Sequence, residues 1–153
     1  MREVSYVLRF VRPSKDAPTA AQGLVTVTSL GHPAAAVQTE RVGIGGTASY
    51  SSEYKLDEDG VHFTESGTLT FGAAGSADTL AFSTIEKGTL LPPADPKTGM
   101  TRGIVMWKID SGTGFFSGAS GLIASNFRVN LETEALVDDH VATIWLPDGE
   151  DAA

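Results

Sequence analysis

The chain has no cysteine, which excludes disulfides, thiolate nucleophiles and cysteine-based zinc sites. It also has no long apolar run, and nothing approaches the roughly 18 residues that a membrane-spanning helix needs. Its first residues, Met1 to Ser5, run straight into an alternating segment instead of the apolar core of a signal peptide. The expectation is a protein that stays in the cytoplasm and does not engage a membrane. Positive charge is scarce: 11 Lys and Arg face 19 Asp and Glu, a formal net charge of -8. The deficit is local, because residues 132–153 contain seven acids and no Lys or Arg. An acidic surface repels phosphate backbones, so nucleic acid is not an expected partner. The acidic stretch suits a solvated edge and tail, with docking of a basic partner as the alternative.

What is present is strand-like. The 153 residues suit one domain, read as a barrel over 1–147 with an acidic tail at 148–153. Segments of period 2, rich in Val, Thr, Tyr, Phe and Ile, recur along the chain. Val4, Tyr6, Leu8 and Phe10 share one face of a strand, and residues 23–30 form a β-branched run. Residues 47–56 and 61–71 form the clearest hairpin, joined by Asp57-Glu58-Asp59-Gly60, whose Asp-Gly supplies the positive φ of a tight turn. Further strands are expected at 79–87, 101–110, 122–131 and 140–146, with 132–137 as a possible continuation. The prolines of Leu91 to Pro96 remove ladder donors and read as a connection over a barrel mouth. No helical period persists over ten residues; a single turn at 115–119 is the nearest candidate. Around eight short strands point to an all-β, closed antiparallel barrel, since closure leaves no exposed edge.

Between two of these strands lies Gly112-Thr113-Gly114-Phe115-Phe116-Ser117-Gly118-Ala119-Ser120-Gly121. Its glycines permit a tight exit and re-entry, while the two phenylalanines plug apolar surface. No Lys and no following helix support phosphate binding. The segment is similar to the G-x-G-x-F-x-G-A-x-G signature of dirigent proteins, allene oxide cyclases and small bacterial relatives. The resemblance implies a calycin-like eight-stranded barrel, often trimeric, whose lumen holds an apolar small molecule and steers cyclisation or coupling. The cysteine that some members carry near their site has no counterpart.

A barrel of this size is just wide enough for packed side chains or one small ligand. Inward-facing candidates are Tyr50, Tyr54, Glu65, Glu86, Trp107 and Arg128, with Phe63, Phe82 and Asn126 as further wall residues. Glu65 shares its face with Val61, Phe63, Leu69 and Phe71. Desolvation there would raise its pKa toward the range of a general acid or base; the alternatives are a turn to solvent or an ion pair with Arg102 or Arg128. Glu86, near a strand end, reads as exposed or as a wall residue. Tyr50 or Tyr54 could bind a phenol or polarise a carbonyl, or both could be core. Arg128 could orient an acidic group by a bidentate pair, or decorate the outside. His32, His62 and His140 show no H-x-H or H-E-x-x-H spacing, and no G-x-S-x-G elbow is present. No metal and no cofactor are expected.

The expected function is a cofactor-independent cyclase, isomerase or lyase acting on an apolar or polyketide-like small molecule, with Glu65, Tyr50 and Arg128 as the catalytic set. The alternatives are a non-catalytic carrier and a solid barrel that works from its outside. Apolar residues on the opposite strand faces (Ile104 with Met106, Ile123 with Phe127) are expected to support a homo-oligomer, a trimer by the resemblance.

Overall fold

The computed structural model describes residues 1–16, 19–29, 38–39, 48–73, 75–91 and 97–148, with 21–29 and 38–39 described by their backbone. Among these residues ten strands follow in order: β1 Arg2–Arg12, β2 Thr19–Ser29, β3 Gln38–Thr39, β4 Ala48–Leu56, β5 His62–Phe71, β6 Asp78–Thr84, β7 Gly88–Leu91, β8 Met100–Thr113, β9 Ser120–Asn130 and β10 Leu136–Leu146. All pairings are antiparallel, and the circuit β1-β10-β9-β8-β6-β5-β4-β2 closes through β1–β2. The result is a closed eight-stranded barrel. β7 continues the place of β6 between β5 and β8, and β3 adds two residues to the end of β2. The Pro-rich connection at 92–96, the His32-Pro33 loop and tail residues 149–153 lie outside the described residues. No helix among those described is long and apolar enough to cross a membrane.

Several strand limits differ from the sequence expectation. The 79–87 strand stops at Thr84, because Glu86 takes a left-handed φ of 56° and turns the chain into β7. Lys87 of that turn pairs with Asp57 of the β4–β5 turn. Residues 131–135 do not prolong β9 but form a tight turn. The Asn130 side-chain oxygen accepts from the N–H groups of Glu132 and Thr133, and Glu134 has a φ of 57°. β10 therefore begins at Leu136 and not at His140. The helical turn contracts to a 3₁₀ turn at Gly114–Phe116.

Alternation then decides what points inward. Val4, Tyr6, Leu8 and Phe10 of β1 are buried, as are Leu80, Phe82, Val105, Trp107, Ile123 and Ile144. Phe82 and Trp107 stack at 4.0 Å in the middle of the barrel. At one end Phe116 packs on Phe71 at 4.8 Å, Phe115 lies against Phe116, and Arg2 covers the Phe115 ring. The glycine-rich segment is thus a plug. Phe115 N–H donates to Asp78, which anchors it to β6. On the outside, Val7, Val141, Ala124 and Met106 align across β1, β10, β9 and β8, with Ile104 also exposed. Ile123 and Phe127 do not join that outer row: Ile123 is buried in the core and Phe127 packs on Phe63.

Candidate functional site

The end opposite the plug holds a cavity of about 790 Å³. Its wall comes from the end of β1, the start of β2, β4, β5, β7, the end of β9 with the turn after it, and the start of β10. Among the described residues, β2 and β4 are joined by the registered pairs Thr19↔Tyr50 and Ala20↔Ser49, which border the cavity.

Two rings are seated by glycines. Phe63 is opposite Gly88 and Phe127 opposite Gly103. A Cβ on either glycine would stand 2.2 Å from the facing ring, so each ring lies against bare backbone. The rings meet edge to face at 5.7 Å, a favoured aromatic geometry. Leu90, Val129 and Leu136 extend this apolar wall.

Polar groups converge on it. Asp138 is buried: its Oδ1 accepts from Ser125 Oγ at 2.5 Å, and its Oδ2 from the Tyr50 hydroxyl at 2.6 Å and from His140 Nε2 at 3.0 Å. His140 is fully enclosed, with Phe10, Tyr50 and Trp107 around its ring and the Tyr6 hydroxyl loosely placed at 3.5 Å from Nδ1. A buried carboxylate with three donors is well satisfied. Burial first, and the neighbouring Asp138 charge second, hold the Tyr50 and Tyr6 phenols well above the usual tyrosine range.

Glu65 is half-buried on the cavity wall. Its Oε1 accepts from Ser52 Oγ at 2.5 Å, and its backbone N–H and carbonyl are both held by the Thr84 hydroxyl. Burial pushes its pKa up to about 7, aided by the Asp138 charge and opposed by the Ser52 hydrogen bond, the Trp107 indole and, more weakly, Arg12. Trp107 Nε1 is buried without a formed hydrogen bond, yet it is near enough to favour the Glu65 carboxylate. No ion pair reaches Glu65 among the described residues, and Arg102 and Arg128 are both exposed.

The expected residues therefore divide. Glu65, Tyr50 and Phe63 line the cavity, and Tyr54 stands on its rim, 56% exposed. Phe82 and Trp107 lie beneath it as its packed floor. Arg128 and Asn126 are exposed on the outer face of β9, because Phe127 is the inward residue of that triplet and its neighbours must point away. Glu86 is exposed at its turn. Those three leave the candidate site. Sequence reasoning missed Asp138, His140, Ser125 and Arg12. The signal for the first two was the run Leu136, Asp138, His140, Ala142, Ile144, Leu146, which alternates without a break.

Scans of the chain against protein-family models and against curated proteins return no match. Among solved structures it is similar to the pterocarpan synthase dirigent protein, at 13% identity and a TM-score of 0.45, over 100% of this chain and 91% of that one. The barrel described above stands on its own strand pairing.

Proposed function

We propose that the chain is a small-molecule enzyme that binds an apolar ligand in the open end of the barrel and moves a proton on it through Glu65. The reaction class is a cofactor-independent isomerisation, cyclisation or elimination. The observation that carries this reading is a half-buried carboxylate on an aromatic wall, with a pKa about 7. Such a group is poised between acid and base at neutral pH, where proton transfer by a positioned side chain is most effective. Tyr50, fixed by Asp138, supplies a phenol beside the ligand, and the rigid wall contributes by holding one reactive conformer.

A generic probe tests the base. Nitrobenzisoxazole loses its ring C–H proton to a carboxylate while the N–O bond breaks, giving a coloured cyanophenolate. The expected rate rises with pH through about 7 and falls by about 10²-fold in Glu65→Gln, the usual contribution of such catalysis. Equal rates in the two proteins overturn the catalytic reading.

One observation favours a carrier instead: the Tyr50 and Ser52 hydroxyls are already committed to Asp138 and Glu65. Tight ligand binding without proton transfer by Glu65 would support that second reading.

A further inference from the structure

We propose that the cavity takes an amine: a molecule with an aromatic or apolar body and a protonated nitrogen seated against Glu65. The inference rests on the cavity being the ligand site, as proposed above, and not on proton transfer.

The first argument is charge. Among the described lining residues stand four carboxylates, Glu53, Glu65, Glu134 and Asp138, against one cation, Arg12. Arg12 is turned to Glu134: its Nε donates to the Glu134 carbonyl at 3.0 Å, and a terminal nitrogen lies 3.8 Å from the Glu134 carboxylate. An anionic ligand would enter a negative field whose cation already faces a carboxylate, and an ammonium enters a favourable one.

The second argument is satisfaction. Asp138 has its three donors, and Glu53 is exposed to water. Glu65 accepts one side-chain hydrogen bond, from Ser52. An ionised carboxylate has room for about four. The buried Trp107 N–H lacks a formed partner and lies near enough to favour the same carboxylate. Ser52, Trp107 and a ligand ammonium together would complete the carboxylate and give the indole N–H its acceptor.

The third argument is the wall. Tyr54 stands directly opposite Glu65 in the β4–β5 register, and Phe63 lies two residues away on the same face. Aromatic rings beside a carboxylate suit a cation with apolar substituents. A fatty acid or another anionic amphiphile would meet the apolar wall but set its charge against Glu65 and Asp138.

Three matched probes decide it: naphthylethylamine, naphthylethanol and naphthylacetate, titrated at pH 8 by calorimetry. The amine is expected to bind about tenfold more tightly than the alcohol, the scale of a desolvated cation–ring contact, with the acetate weakest. Glu65→Gln should bring the amine to the level of the alcohol. Equal affinity for amine and alcohol, or the acetate ranking first, overturns the amine assignment and leaves the cavity as a ligand site. Failure of all three to bind overturns both. If Glu65→Gln does not fold, the ranking on the unsubstituted protein settles the matter alone.

Discussion

Tyr50 on β4 donates its phenol hydrogen to Asp138 on β10 at 2.6 Å, across the interior of the barrel. β2 and β1 separate these strands along the wall, so the bond ties β4 to the far side. Tyr50→Phe keeps the ring among Phe10, Phe82 and Trp107 but removes the donor. The variant should lose about 1–3 kcal/mol, the cost of a hydrogen bond to a buried charged group. Urea denaturation measures it; an unchanged midpoint would mean that Ser125 and His140 satisfy Asp138 alone.

Glu65 makes stability depend on pH. Its folded pKa of about 7 lies above the ordinary 4.5, so folding favours the protonated form. Its contribution is fully present below the unfolded value and is lost as pH rises through the folded one. Between pH 4.5 and pH 8 the protein should lose about 2–3 kcal/mol through this group. Glu65→Gln, which imitates the neutral acid, should flatten that slope and be the more stable protein at pH 8. Denaturation curves at the two pH values read the difference directly.

The plug should matter for folding and not for ligand choice. Phe116 is buried against Phe71 at the end remote from the cavity. Phe116→Ala should cost about 3–5 kcal/mol, as other large truncations in cores do. Bound probes should keep their ranking in whatever fraction remains folded, and a changed ranking would show that the two ends communicate.

Gly103 supports the other end. Its substitution by Ala places a methyl 2.2 Å from the Phe127 ring, so the ring must shift. The expected cost is roughly 1–3 kcal/mol for overpacking, together with weaker binding of naphthylethanol. Stability falling while affinity holds would show that the ring moves away from the ligand.

The strand architecture was legible because the pattern is strict. Val4, Tyr6, Leu8 and Phe10 could belong only to a half-buried strand, and Glu65 stood out as a charge among Phe63, Leu69 and Phe71. The rest was hidden by local parity. Asp138-Asp139 reads as a polar turn until β10 is extended back to Leu136, which turns Asp138 inward and Asp139 out to pair with Arg9. One residue of phase also separates Phe127 from Asn126 and Arg128, and neither neighbour carries a signal of its own. The end of β6 at Thr84 was not legible, because a left-handed φ at a non-glycine position such as Glu86 depends on the tertiary turn around it. The β2–β4 pairing and the glycine seats beneath Phe63 and Phe127 are long-range contacts, which period alone does not register.

Phe115 and Phe116 close one end of the barrel, and the cavity lies at the other. Under the proposed function, a product formed inside would leave by the end at which the next molecule arrives, so product and substrate would compete for the same passage. Turnover would then be governed by departure as much as by chemistry, with inhibition by accumulated product as its kinetic mark. A reaction of two partners would need both inside together, and about 790 Å³ sets the combined size that such a pair could have.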